Sequence, residues 1–151
     1  MTQHLRWYHP ISKYETPRTI LSGLRVLCAV PPHTVVEWTY NPRECNCDEC
    51  LVFMDWGLDE GLVVFDLQDR PVDLMLACRK QRESIVAWKA YLGDSLAQLQ
   101  WRIEENGEND LGDRACILDR IRTLEARIDR EKVDLAQLEQ GKIPDNWLLY
   151  Y

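Results

Sequence analysis

No stretch of this 151-residue chain approaches the roughly 20 consecutive apolar residues that a bilayer span needs. The opening MTQHLRWYHP is polar and aromatic and lacks an apolar h-region, so a secretory signal is not expected. Glycine is sparse and scattered, seven residues in all, and builds no phosphate-cradling loop. GxSxG, HExxH and HxE…PCxxC are all missing. Only three histidines are present, which leaves little material for imidazole acid–base chemistry. Basic side chains are in the minority, 18 against 25 acidic, and the net charge is -7. A surface of that sign repels phosphate and disfavours broad binding of nucleic acid. These absences argue against a membrane protein, a nucleic-acid binder and an enzyme with a standard catalytic set. At 46% apolar and 28% charged residues, the composition suits a folded soluble domain and not a disordered chain.

Two residue types are abundant instead. The chain has six Trp and six Cys, and three of the cysteines fall within residues 45–50. Without a secretion signal, the expected location is a reducing cytoplasm. There cysteines persist as thiols or metal ligands, not as disulfides.

The first seventy residues read as short strands at 24–30, 34–40, 51–56 and 62–67, rich in Val, Leu and aromatic residues. Pro31-Pro32 and Asn41-Pro42 punctuate them, and residues 56–61 make a turn. Consecutive strands with short links predict an antiparallel meander. Past Pro71 the apolar period lengthens from 2 to about 3.6 residues. Asp69 serves as a cap in this reading and Pro71 occupies the first turn. Cys78, Ile85, Leu92 and Leu99 recur every heptad, flanked by Leu96 and Ile103. Residues 106–110, NGEND, form the break. A second seam follows in Ile117, Ile121, Leu124, Ile128, Glu131, Leu135 and Leu138, with Glu131 alone breaking it. Gly141 and Pro144 stop the helix.

The predicted fold class is therefore α+β. A small antiparallel β head with a Cys-rich metal clip (1–69) is followed by a long antiparallel coiled-coil-like hairpin (70–141, helices at about 71–105 and 111–140) and an apolar tail (142–151). Such helices are about 45–50 Å long, more than a head of this size covers. One end should project, or pair with a protein partner or a second copy.

Cys45, Cys47 and Cys50 are the sharpest chemical feature. Thiolates are soft ligands, and a turn gathers several sulfurs at one point, which suits Zn²⁺. Free thiols, a redox pair and an iron–sulfur ligand set are the competing readings. His9 is the favoured fourth ligand, because its segment carries no strand or helix signal and could reach the turn. Cys28 comes next, although its apolar run suits a buried core thiol better than a ligand. His4 is a further alternative. A hairpin of residues 24–30 with 34–40 would carry His33 to the far end, roughly 20 Å or more away. Cys78 and Cys116 read as structural thiols in the helices.

Residues 51–69 carry five acidic and no basic side chains, while residues 1–50 are neutral overall. Asp55, Asp59, Glu60, Asp66 and Asp69 fit solvated turns, or a docking surface for a basic partner. Their spacing does not match a Ca²⁺ loop. Trp7 beside Arg6 is either an interface anchor or a lid on the sheet. The expected function is a non-enzymatic, zinc-stabilised adaptor or assembly protein acting through its hairpin and its aromatic and acidic surfaces. The alternative is an acidic, nucleic-acid-mimicking inhibitor of a nucleic-acid-binding protein, a role small acidic proteins of mobile elements often play.

Overall fold

The computed structural model describes residues 2–8, 19–21, 26–31, 35–106, 111–145 and 147. The chain forms two compact units, Met1–Cys78 with Gln137–Tyr150, and Arg79–Ala136. The architecture is the expected α+β class, a small β-rich part and two long packed helices.

In the first unit, β1 (Gln3–Leu5), β2 (Thr19–Leu21) and β3 (Val35–Thr39) form one sheet in the order β1-β3-β2. The β2–β3 pairing is antiparallel and the β1–β3 pairing is parallel, with His4 beside Trp38. The simple meander is therefore replaced by a mixed sheet with β1 on its edge. The other side of β1 takes up residues 26–28. Arg6 bridges to Val26, and the Leu27 N–H donates to the Leu5 carbonyl at 2.9 Å. The 24–30 strand is thus reduced to one bridge among its described residues.

The larger correction concerns residues 51–56. They lie in a helix, α1 (Asp48–Asp59), and not in a strand. LVFMDW is a short apolar run, which periodicity alone cannot assign. The helix starts at an extended Cys47, and Asp48 and Glu49 sit in its first turn, where the helix dipole favours negative charge. It continues through Gly57 because this glycine meets β4 (Val63–Phe65) closely. A methyl placed there would overlap the Val63 side chain.

β4 pairs antiparallel with β5 (Pro71–Asp73). Asp66 closes the turn between them. Its carboxylate accepts from the backbone N–H groups of Gln68 and Arg70, both at 2.9 Å, and from Arg70 Nε at 2.7 Å. Asp69 is not the helix cap. It occupies the left-handed region (φ 57) inside this turn, and Pro71 belongs to β5. The cap is Asp73, whose Oδ1 accepts from the Leu76 N–H at 3.1 Å.

The core of this unit is Leu5, Val26, Leu27, Cys28, Val36, Cys45, Cys47 and Cys50, with Trp7, Val30, Trp38, Leu51 and Met54 packed against it. Trp7 therefore covers the core. Arg6 is buried, with its guanidinium 4.5 Å from the centre of the Trp38 ring. Desolvated stacking of this kind stabilises by about 2 kcal/mol.

The long helices are α2 (Leu74–Asn106) and α3 (Leu111–Glu139), within a residue or a few of the expected spans. Cross-helix pairs run antiparallel: Gln81 and Ser84 meet Glu131, and Arg102 meets Asp113. Ile85, Ile117, Ile121, Leu124 and Ile128 are buried along the seam, while Leu96 and Ile103 are about half exposed. Glu131 keeps its seam position and is 1% exposed. The Ser84 hydroxyl donates to both its carboxylate oxygens, at 2.9 and 3.1 Å, and Arg127 Nη2 lies 3.6 Å away. Its neighbour on the seam is Asp134, buried where Leu135 was expected. Burial pushes both carboxyls above their ordinary pKa. Ser84 and Arg127 oppose the rise at Glu131, as Arg130 and Arg127 do at Asp134.

α3 ends as its glycine predicts. Gly141 is left-handed (φ 77), its N–H donates to Leu138, and the Lys142 N–H reaches back to the Gln137 carbonyl at 3.0 Å. Trp147 in the tail is buried.

Candidate metal centre

Local structure places two of the cysteines. Cys47 is the residue before α1 and Cys50 lies in its first turn, so the two sulfurs of a CxxC spacing come together at a helix N-terminus. That end of a helix favours thiolate. The other two donors arrive through the sheet. Gln3 and Asn46 are cross-linked, since the Asn46 N–H donates to the Gln3 carbonyl at 3.2 Å and the Asn46 side chain accepts from the Gln3 N–H. This fastens β1, and with it His4, beside the cysteine turn. The bridge from Arg6 to Val26 then delivers Cys28 from the other side.

The result is one cluster. The Nδ1 of His4 and the sulfurs of Cys28, Cys47 and Cys50 all lie within 4.8 Å of one another. His4 Nδ1 is 3.1 Å from Cys28 Sγ and 3.8 Å from Cys50 Sγ, and Cys28 and Cys47 Sγ are 3.8 Å apart. Bonds of about 2.3 Å to sulfur and about 2.0–2.1 Å to nitrogen put tetrahedral ligand atoms roughly 3.8 Å apart for S···S and roughly 3.5 Å apart for N···S. The Cys28–Cys47 separation equals that S···S spacing, and the two His4 separations fall on either side of the N···S value. The S···S distances also far exceed a disulfide bond, and all six cysteines are free.

The surroundings are low in polarity. The three cluster cysteines are buried and His4 is half-buried. Burial pushes the Cys28 thiol far above its ordinary pKa, and the neighbouring Cys50 and Cys47 sulfurs add to the rise. Burial also raises Cys50, although the Leu5 backbone counters it. The Leu5 N–H donates to Cys50 Sγ at 3.4 Å. Protons at these sulfurs must leave when a metal binds, so the affinity is linked to pH.

Of the sequence-derived set Cys45, Cys47, Cys50 and His9, the cluster contains Cys47 and Cys50. Cys45 is buried, and its Sγ–H points to the Cys47 carbonyl at 3.8 Å, but it is not one of the four clustered donors. It precedes Cys47 by two residues outside α1, and its thiol neighbours Cys47 and Cys50 without joining the set of four. His9 and His33 lie outside the described residues. His4 and Cys28, the named alternatives, take the remaining places. A continuous 24–30 strand would place Cys28 in the core, but among the described residues only the Arg6–Val26 bridge forms there. Two further thiols stand apart: Cys78 is buried, and Cys116 is exposed on α3.

Asp66 turns inward to its loop, so it is not part of an acidic surface. Asp55, Asp59, Glu60 and Asp69 are exposed. No helix among the described residues is long and apolar enough to cross a membrane. The chain matches no protein-family model, no curated protein and no solved structure.

Proposed function

We propose that this protein is a non-enzymatic interaction protein whose β-rich part is held together by one structural zinc ion on His4, Cys28, Cys47 and Cys50. The observation that carries this reading is the closure of the donor set. Three buried thiols and one half-buried imidazole converge within 4.8 Å of one another, close enough for a single ion to reach all four. A catalytic zinc keeps one position open for water or substrate, whereas four protein donors leave none. Soft thiolates with one imidazole select zinc over the hard cations.

The core supports a structural role. Four of its eight buried residues are cysteines. So thin a core gains folding free energy directly from a metal that binds only the folded chain. Free thiols in this number suit a reducing cytoplasm. Exposed Val86, Trp101 and Val133 on the long helices support an adaptor or assembly role, through a protein partner or a second copy.

Metal analysis of protein purified without added zinc, combined with sedimentation, tests the reading. One zinc per chain is expected, with loss of folded structure on chelation. A metal-free chain that is fully folded would overturn it.

A second reading, the acidic inhibitor, draws on residues 48–69, where six exposed acidic side chains (Asp48, Glu49, Asp55, Asp59, Glu60 and Asp69) and no basic ones occur. Recognition by charge alone would survive removal of the nearby aromatics and fail on neutralising the carboxylates.

A further inference from the structure

We propose that the outward face of α1 is the docking site for a basic segment of a protein partner, one that carries apolar anchor residues. The inference rests on the interaction reading above and names its surface and the chemistry of the partner.

The helix turns Cys50, Leu51, Met54 and Gly57 inward, yet leaves Val52 68%, Phe53 45% and Trp56 51% exposed. The Phe53 and Trp56 rings pack edge to face with centroids 5.7 Å apart, so they form one joint aromatic surface. Large aromatics left in water on an ordered helix mark an interaction site.

Two fixed points impose this orientation. At the N-terminal end, Cys47 and Cys50 belong to the donor cluster. Seven residues further on, about two helical turns, Gly57 lies against Val63 with no room for a methyl. Cys50 and Gly57 share one face, so α1 cannot roll to bury Trp56 without breaking both contacts. The aromatic face is therefore held outward by the same clip that closes the core.

Charge selects the occupant. Asp48 and Glu49 precede the aromatic pair, Asp55 lies within it, and Asp59 and Glu60 follow it, and all five are exposed. No basic residue occurs between Arg43 and Arg70. Such a frame repels the same face of a second copy, and it attracts Lys and Arg around an apolar anchor. Burying the aromatics would supply the affinity, and the carboxylates the rate and selectivity.

The test is a titration with a labelled amphipathic Lys/Leu peptide and its Glu/Leu counterpart, against the full chain and the Phe53→Ser/Trp56→Ser variant. Zinc content and sedimentation are measured on the same samples. Saturable binding of the Lys/Leu peptide is expected, weakened by salt and by about tenfold or more in the double variant. The variant should keep its zinc and its helicity. Equal binding of the Glu/Leu peptide, or undiminished binding by the double variant, would overturn the proposal. So would a wild-type dimer that the double variant abolishes, because a second copy would then be the occupant. The two readings fail separately. A zinc-free chain that still discriminates through Phe53 and Trp56 removes the clip alone. A zinc-loaded chain that does not discriminate removes the docking site alone.

Discussion

His4 Nδ1 and Cys28 Sγ lie 3.1 Å apart, although 24 residues separate them in the chain. Neither belongs to a local motif. β1 brings in one, the Arg6–Val26 bridge brings in the other, and the CxxC turn supplies the remaining pair.

This arrangement predicts which cysteine is dispensable. Cys28→Ser and His4→Ala should each lower zinc content, and Cys45→Ser should leave it near one per chain. Metal analysis of gel-filtered protein measures this. Removing structural zinc should unfold the β-rich part, since such sites contribute on the order of 10 kcal/mol. Equal metal loss in Cys45→Ser and Cys28→Ser would refute the ligand assignment.

The contact between α1 and β4 predicts a coupled pair. Gly57→Ala should destabilise by about 1–3 kcal/mol, because the added methyl overlaps the Val63 side chain. Val63→Ala makes room, so the double variant should lose less than the two single losses combined. Urea unfolding of the four proteins gives the coupling, and strict additivity would argue against the contact.

The Asp66 carboxylate accepts three hydrogen bonds inside its turn, two from backbone N–H groups and one from the Arg70 side chain. Asp66→Ala should cost about 1–3 kcal/mol, because backbone donors lose their acceptor. Asp69→Gly should be tolerated or slightly stabilising at its left-handed position. Melting temperatures of the two variants should move in different directions or by clearly different amounts.

Glu131 predicts a pH dependence of the helical pair. Burial raises its pKa, so the folded chain holds this proton more tightly than the unfolded chain. Stability is then highest below the unfolded carboxyl pKa and declines as pH rises through the folded one. Glu131→Gln removes this titration. Its stability relative to the wild type should increase from acid toward neutral pH and then level off. A difference independent of pH, from denaturant unfolding across that range, would contradict the assignment.

The helical hairpin was legible because its information is local. Heptad spacing, the Asn-Gly break and Gly141 each act over a few residues, and α2, α3 and the glycine stop appear where they indicate. Glu131 stood out as a flaw in the seam. Its partner Ser84 could not be named, because cross-helix register is not written in either helix alone.

The β-rich part was less legible. Residues 51–56 are apolar enough for either a strand or a helix. Deciding for the helix required the close approach of Gly57 to Val63, a contact between two elements. The CxxC spacing of Cys47 and Cys50 was the overlooked signal, hidden by the extra sulfur of Cys45.

Composition and short-range pattern were enough to indicate the class of fold, the two long helices, a cluster of cysteines that could hold a metal and an acidic middle segment. They could not say which four donors meet. The meeting of these donors depends on a parallel β1–β3 pairing and an isolated bridge, both formed by residues distant in sequence. Nor could they say that Phe53 and Trp56 face outward, because that follows from α1 being held at Cys50 and Gly57. Spacing can nominate metal donors and surface aromatics, but long-range pairing brings the donors together and turns Phe53 and Trp56 toward solvent.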